Sequence, residues 1–291
     1  MLAGSSAFGL ATADGALTYL RTQGVGHQIG ENLVPIVPAA ILYDLNYKSN
    51  ITLTADHGVI ACEAASTDPL ATGAVGAGTG ATVAKWVSKG TKVVYVLATT
   101  GSSGSNDASM TSEKIVDIRS NEQIEAANAI GVEDIVSLNY VDGELESNRS
   151  LLSDLVFNIR KYKPEIIFTH DPFRMKSFLH RDHRNLGFSV MDAIYPYARD
   201  HLHFPEQINK EIQPYKVKKL LFWGSDEPNV CVDVSSYELK KVESLSKHES
   251  QLPGLSLGSE YGKNILKRLS NSAQEFNFDY GESFRMIEAR S

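Results

Sequence analysis

Short β-branched runs alternate with longer amphipathic stretches between residues 92 and 250, and this alternation constrains the fold most. Four runs have the length and apolar density of buried strands: KVVYVLAT (92–99), DIVSLNY (134–140), EIIFTH (165–170) and VKKLLFWG (217–224). Helical spacing of apolar residues marks the stretches at 112–129, 151–162, 183–196 and 236–250. The pattern predicts an α/β fold with a doubly wound, mostly parallel sheet, which binds ligands at the carboxyl ends of its strands.

The strongest group of chemically active residues follows the third of these strands. His170 and Asp171 come at the strand end, and the sequence HRDH begins at His180 and ends at His183. Histidine is the commonest zinc ligand, and a spacing of three at a helix start lets both histidines point into one volume. A ligating histidine donates a hydrogen bond from its other ring nitrogen, and the carboxylate of Asp171 or Asp182 is available to accept it. The pattern indicates a metal-hydrolase site, and the alternative is a set of surface histidines beside a helix N-terminus.

The first 80 residues differ in composition from the rest of the chain. They contain 11 of the 22 glycines but only eight charged residues, whereas the remaining 211 residues contain 55 charged residues. Such a step is typical of two segments of different origin. A buried sheet core followed by surface helices is the alternative explanation.

The early segment gives weaker local signals. Residues 7–24 suit a helix, whereas Pro35 and Pro38 argue against a regular central strand at 34–45. The best candidate strand there is the short run from Val59 to Cys62. A glycine-rich loop at 73–86 opens into a helix, and its glycines suit either a tight turn or an anion-binding nest. It lacks both the phosphate-loop ending and the dinucleotide fingerprint.

Charge and cysteine content exclude several classes of protein. The net charge of −7 and the sequence pI of about 5.6 argue against nucleic acid or an anionic membrane as the main partner. No apolar run of 18 residues and no basic leader is present, so we expect a cytoplasmic protein. Cys62 and Cys231 stand far apart, which excludes a disulfide framework and a cysteine-based zinc site.

One family resemblance covers the chain from about Ala81 to Leu252. In order, the matching stretches are TVAKWVSKGTKVVYVLATTGSSGSND, IRSNEQIEAANAIGVEDIVSLNYVDGELE, KPEIIFTHDP, HRDHR, VKKLLFWGSDEP and SKHESQL. They resemble the LmbE-like zinc-dependent de-N-acetylases, which are related to the glucosaminyl-phosphatidylinositol deacetylases. The resemblance implies a Rossmann-like fold, Zn²⁺ as cofactor, and removal of an acetyl group from a small N-acetylated amino sugar or similar N-acyl substrate.

The same resemblance implies roles for individual residues. His183 matches the third zinc ligand of the family, and His180 matches the histidine that stabilises the oxyanion or protonates the amine. Arg119 and Asp142 fall where the family has polar pocket residues. The resulting candidates are His180, Asp182 and Arg119 for catalysis, Asp142, Asp171 and His248 for substrate binding, and His183 for the metal.

The first motif of that family is missing. His-Pro-Asp-Asp-Glu normally supplies two zinc ligands and the carboxylate base, and this chain has neither a His-Pro nor an Asp-Asp dipeptide. Replacement ligands would have to come from elsewhere in the chain, with Glu63, Asp68, His57, Asp171 and His248 as candidates. We therefore expect low zinc occupancy.

Residues 3–86 resemble a second family, the DmpA-like aminopeptidases. GSSAFGLATADGALTYLRTQGVG, VPIVPAAILYDL and GAVGAGTGATVAKW are similar to the amino-terminal half of those self-cleaving hydrolases. Their nucleophile lies downstream, and nothing after Trp86 matches it. The two resemblances predict a chimera, with a foreign glycine-rich segment at 1–82 and a deacetylase domain at 83–291.

Three functions follow from these observations. The first is a zinc-dependent N-deacetylase whose competence depends on replacement ligands. The second is a catalytically inactive relative that binds a ligand or partner, and the third is aminopeptidase-type hydrolysis by the front segment. Metal content separates the first two, and self-cleavage would support only the third. The oligomeric state stays open.

Overall fold

The helices and strands of the computed structural model lie in residues 2–3, 6–41, 52–63 and 78–289, which are the residues that the structure describes. The α-helices in these ranges are α1 (Ala11–Thr22), α2 (Ala55–Glu63), α3 (Gly80–Ser88), α4 (Ser112–Ala129), α5 (Arg149–Tyr162), α6 (Arg181–Ile194), α7 (Glu238–Leu245) and α8 (Glu260–Ala273). The strands are β1 (Leu2–Ala3), β2 (His27–Ile29), β3 (Asn32–Val34), β4 (Ala40–Ile41), β5 (Val94–Thr99), β6 (Asp134–Tyr140), β7 (Ile166–His170), β8 (Lys219–Trp223), β9 (Val230–Asp233) and β10 (Gly281–Glu288).

The chain divides into two units, Met1–Asp68 and Pro69–Ser291. The segment boundary that the sequence predicts at residues 82 and 83 concerns the origin of the two parts, and it stays a prediction. In the second unit, the predicted alternation is present, because β5, β6, β7 and β8 coincide with the four apolar runs and are separated by α4, α5 and α6. The prediction of a mixed α/β fold is therefore confirmed.

The sheets differ from the prediction of one doubly wound, mostly parallel sheet. Within the described residues, β5 pairs in parallel with β6, and a separate four-stranded sheet has the order β7-β8-β10-β9. β7 is parallel to β8, but β10 is antiparallel to both β8 and β9. The reason is that β9 and β10 follow the four apolar runs from which the parallel sheet was predicted.

The core of the second unit fixes α6 against the end of β7. Leu151 and Val156 of α5, Ala193 of α6 and Phe222 of β8 are buried in one apolar cluster. Gly187 of α6 lies so close to β7 that an added Cβ would come within 2.7 Å of the carbonyl oxygen of His170. This close approach brings the start of α6 over the end of β7.

The first unit pairs α1 with α2 through glycines. A Cβ at Gly58 would lie 2.0 Å from the carbonyl oxygen of Thr12, and a Cβ at Gly15 would lie 1.8 Å from that of Ala55. The prediction of a strand from Val59 to Cys62 was wrong, because these residues lie in α2. A strand would not place Gly58 against α1, so the tertiary contact decides the local structure.

Two further features concern the described part of the chain as a whole. None of its helices has the length and apolar content that a membrane crossing requires. Cys62 and Cys231 are both free thiols.

Candidate active site

The HRDH sequence begins α6, and its two histidines lie close together. His180 precedes the first turn, where its Nδ1 atom accepts a hydrogen bond from the backbone amide of Asp182 at 3.2 Å. One turn on, the ring of His183 lies 5.2 Å from the ring of His180, measured between centroids. The spacing of three therefore brings both imidazoles to one place, as the sequence predicts.

A third imidazole joins them from the end of β7. The His170 ring stacks on the His183 ring with a centroid distance of 3.7 Å and an interplanar angle of 13°. The Trp223 indole donates a hydrogen bond from Nε1 to Nδ1 of His170 at 2.9 Å. Since Nδ1 accepts, a neutral His170 carries its proton on Nε2.

Burial keeps the stacked pair uncharged. It lowers the pKa of His170 well below its ordinary value, and the nearby His183 and Arg174 act in the same direction. Burial also lowers the pKa of His183 to about 4, with His180 and Arg174 adding to the effect and Asp182 opposing it. Both rings are therefore neutral at pH 7, which is the state in which imidazole binds a metal or accepts a proton.

Asp171 is held by an arginine from another strand. Both of its carboxylate oxygens accept from Arg285 of β10, with Nε to Oδ2 at 2.9 Å and Nη2 to Oδ1 at 2.7 Å. Asp171 is 3% exposed, and its backbone amide donates to the carbonyl oxygen of Trp223. Sequence reasoning missed Arg285 and Trp223, although the apolar run LLFWG gave the strand that contains Trp223.

Asp182 ties the start of α6 to the loop after β6. Its two carboxylate oxygens accept from the backbone amides of Gly143 at 2.7 Å and Leu145 at 3.2 Å. The side chain is buried. This carboxylate therefore orders the loop, and its catalytic role stays a prediction.

Arg119 and Asp142 occupy a neighbouring loop. The Arg119 guanidinium donates to the carbonyl oxygens of Gly101 and Ser103 and lies 3.9 Å from a carboxylate oxygen of Asp142. Burial lowers the pKa of Arg119, and Asp142 opposes that shift. The Nη donors of Arg119 serve the backbone, and its contribution to catalysis stays a prediction.

His248 lies apart from these groups. It is 1% exposed, and it follows α7 in the apolar cluster formed by residues such as Leu245 and Leu252. It does not line the cavity described next. The substrate contact predicted for it stays a prediction, and the geometry gives it no support.

A cavity of about 2000 Å³ lies in the second unit, and the histidines border it. His170, His180 and His183 line it together with Asp182, Trp223 and Phe178. Phe178 is 95% exposed. A titratable cluster at the border of a cavity is the usual form of an active site.

The donor set around His183 falls short of a catalytic zinc site. Within the described ranges, three donor atoms from His, Cys, Asp or Glu come within 4.8 Å of one another only in the group Asp142, His180 and Asp182. This group can hold a metal ion, but His183 does not belong to it. A catalytic zinc has three protein ligands, so the zinc site that the family resemblance implies does not fit the described residues.

The proposed replacement ligands do not complete the set. Asp171 is paired with Arg285, His248 lies apart, and His57 contacts Thr54 at the start of α2, with Oγ1 and Nδ1 2.9 Å apart. Asp68 and the side chain of Glu63 lie outside the described residues.

Two family models match the chain. The model for GlcNAc-PI de-N-acetylase (PIG-L) matches residues 76–194, and the model for peptidase family S58 matches residues 1–91. The chain is 31% identical over 176 residues to diacetylchitobiose deacetylase of Thermococcus kodakarensis, over 60% of this chain and 65% of the relative. It is 46% identical over 79 residues to an uncharacterized aminopeptidase of Mycobacterium tuberculosis, over 27% of this chain and 23% of the relative. The chain thus spans less than two thirds of the length of either relative.

Solved structures agree with the first match. N,N'-diacetylchitobiose deacetylase from Pyrococcus horikoshii, complexed with its inhibitor MPG, superposes with a TM-score of 0.67 at 27% sequence identity. The superposition covers 72% of this chain and 78% of the deacetylase chain. 4-Carboxy-2-hydroxymuconate hydratase GalB from Pseudomonas putida superposes with a TM-score of 0.59 at 18% sequence identity. That superposition covers 75% of this chain and 95% of the hydratase chain. The second likeness shows the fold alone, and it shows that this fold also carries a reaction other than deacetylation. The chain thus joins a segment at residues 1–91 that matches the model for peptidase family S58 to a segment at residues 76–194 that matches the model for GlcNAc-PI de-N-acetylase.

Proposed function

We propose that the second unit is a hydrolase of the N-deacetylase type whose cavity takes a small N-acetylated amino sugar. The observation that carries the proposal is the match of residues 76–194 to the de-N-acetylase model, together with 31% identity to a protein named for deacetylation of diacetylchitobiose. The histidines of the HRDH sequence fall within the matched range and border the cavity. The family match and the geometry thus support the same residues.

His180 is the polar group that meets the substrate in this proposal. Its Nδ1 accepts from the amide of Asp182, which leaves Nε2 for a substrate in the cavity. With Nδ1 accepting, a neutral His180 carries its proton on Nε2 and donates a hydrogen bond from there to the substrate, and a donor placed at the developing oxyanion contributes about 10²–10³-fold. His183 and His170 stay neutral behind it.

We expect the second unit to hydrolyse the N-acetyl group slowly. Amide hydrolysis in this class needs a polarised carbonyl and an activated water as well as a proton donor. The described residues supply a hydrogen-bond donor for the carbonyl oxygen, whereas the three-ligand zinc set around His183 is incomplete. We therefore expect sugar binding to be retained and turnover to be far below that of a complete deacetylase, with Zn²⁺ bound at low occupancy.

The second candidate is a catalytically inactive protein that binds a ligand or partner through the same cavity. The incomplete donor set around His183 favours it, because the chemistry of this class needs a metal-activated water. Aminopeptidase activity of the front segment is not proposed, since that segment spans only 23% of the mycobacterial aminopeptidases.

Amine release from N,N'-diacetylchitobiose, followed beside calorimetric binding of the sugar, tests the proposal. We expect binding in both EDTA and zinc buffer, with slow amine release that His180→Gln lowers by at least about tenfold. His201→Gln is the matched control, because His201 is an exposed histidine that does not line the cavity. Binding without any release would favour the inactive candidate. Absence of binding across N-acetylated amino sugars would overturn the proposal.

A further inference from the structure

Among the described strands of the second unit, β5 and β7 each have one edge without a strand partner, and both border the same cavity. Within the described part of the chain, β5 has β6 as its only strand partner, and β7 has β8 as its only strand partner. The cavity of about 2000 Å³ is lined by every residue from 91 to 99 and by every residue from 161 to 170. These two runs contain the whole of β5 and the whole of β7.

The unbroken runs locate the cavity along the strand edges. Successive side chains of a strand point to opposite faces, so a cavity on one face touches every second residue. Here consecutive residues of both strands border the cavity, which places it beside their backbones. Such an edge presents unpaired backbone N–H and C=O groups and is a template for another strand.

The cavity is large enough to hold a peptide along the two strands in addition to a small ligand beside the histidines. Cavities that hold small molecules measure about 300–1000 Å³, and this one is twice the upper value. Its long walls are apolar, with Val94, Val96, Ile166 and Phe168 in the middle of the two strands. Charged lining residues of these two runs lie before the strands, as at Lys92 and Lys163.

An extended peptide satisfies both features at once. Its backbone groups pair with the edges of β5 and β7, and its apolar side chains fill the space between them. We propose that this slot receives an extended, uncharged, apolar strand of about six residues from another polypeptide chain. The length follows from β5 and β7, which have six and five residues. The strands that the structure describes in the second unit all have a place in a sheet already, so none of them is the proposed occupant.

Intrinsic fluorescence gives a direct test, because both tryptophans of the chain, Trp86 and Trp223, line the cavity. The probe is a peptide of six valine, isoleucine and alanine residues with a lysine at each end. We expect a saturable change in emission at one peptide per chain, reduced in part by Trp86→Phe and in part by Trp223→Phe. A peptide of equal length and charge, in which two central residues are replaced by proline, cannot pair as a strand and should give no change. An equal response to both peptides would overturn the proposal.

N-methylation of the probe tests whether both edges are used. The N–H groups of alternate residues point to opposite sides of a strand. A strand that pairs with β5 and β7 together loses hydrogen bonds when either alternate set is methylated, so each set should weaken binding by at least about tenfold. If only one set mattered, or neither did, the peptide would not lie between two edges, and the proposal would be wrong.

Hydrogen exchange supplies the internal control. Among the strands that the structure describes, β8 and β10 each have a partner on both sides, whereas β5 and β7 have one. Added peptide should slow amide exchange in β5 and β7 and leave β8 and β10 unchanged. If β5 and β7 exchange as slowly as β8 and β10 before any peptide is added, a segment of the chain itself fills the slot, and the proposal of an outside strand is overturned.

Discussion

At the scale of single residues, His183 combines a functional position with a buried environment. It lines the cavity, yet its ring is stacked on His170 and its pKa lies at about 4. Desolvation explains the low pKa, because burial penalises the charged imidazolium and not the neutral ring. Because the folded protein keeps this imidazole uncharged, its free energy of unfolding is lower in acid.

Stability should fall as the pH drops from about 6.5 towards 4. The ordinary pKa of His183 is 6.5 and its folded value is about 4, so the unfolded chain binds the extra proton between these values. Its contribution is fully present above the unfolded pKa and is lost as the pH falls through this window. Urea unfolding of EDTA-dialysed protein at several pH values measures the effect.

His183→Gln should reduce that pH dependence, because the substitution removes one of the two buried imidazoles with lowered pKa values and leaves His170. His201→Gln should keep the wild-type slope, since His201 is exposed. Parallel curves for the wild type and His183→Gln would show that His183 is not responsible.

Zinc content is the second prediction at this scale. The described residues do not complete three ligands around His183, and in the neighbouring group of Asp142, His180 and Asp182 both Asp182 oxygens already accept backbone amides. Protein dialysed against metal-free buffer should contain well under one zinc per chain by mass spectrometry. Stoichiometric zinc that disappears in His183→Ala would contradict this expectation.

At the scale of secondary-structure elements, Glu282 of β10 connects three parts of the second unit. Its carboxylate accepts from the backbone amides of Ala81 and Thr82 at 3.2 and 2.7 Å, which caps the N-terminus of α3. It also pairs with the Lys241 ammonium of α7 at 2.6 Å. Glu282 is 2% exposed and Lys241 is 8% exposed. The negative charge thus meets the positive end of a helix and a buried cation.

Glu282→Ala should cost about 3–5 kcal/mol in the free energy of unfolding, because it leaves the Lys241 ammonium buried without its partner. The matched control is Glu288→Ala on the same strand, where the carboxylate is exposed and 4.0 Å from Lys219. That change should cost less than about 0.5 kcal/mol. Equal losses in denaturant melts would refute the assignment of the buried pair.

The pairing of elements also explains how the site is assembled. Parallel pairing puts His170 of β7 opposite Trp223 of β8, and antiparallel pairing puts Arg285 of β10 opposite Phe222. From these positions Trp223 reaches His170, and Arg285 reaches Asp171. The register of three strands therefore orients the polar groups at the end of β7.

At the scale of the whole molecule, the two units differ in how much apolar surface they bury. In the described residues of the first unit, Ala16 is the only fully buried apolar side chain, while Phe8, Leu10, Ile36 and Ile60 are more than half exposed. The second unit has several buried apolar clusters. Hydrophobic burial is the main stabilising contribution, so the units should differ in stability.

Amide hydrogen exchange should therefore be at least about tenfold faster in α1 than in α5 under native conditions. α1 and α5 have 12 and 14 residues, so helix length does not account for such a difference. Mass spectrometry of peptic fragments measures both helices in one experiment. Equal protection would show that the first unit has the stability of the second.

The sequence by itself determined the α/β alternation, the chimera and the histidine cluster. Apolar runs of four to eight residues can be recognised locally, and the spacing of His180 and His183 follows from helix geometry alone. The step in glycine and charge content near residue 80 agrees with the two family matches, which overlap at residues 76–91. These features depend on residues that are close together in the chain.

Only the tertiary structure decided which partners the site residues have. Arg285 meets Asp171 across 114 positions, and Glu282 meets the start of α3 across 200, so no local pattern could indicate either contact. Val59 lies in a helix and not in a strand because Gly58 packs against α1. The free edges of β5 and β7 likewise depend on which strands pair, and pairing between distant segments is fixed by packing and not by the sequence of either strand.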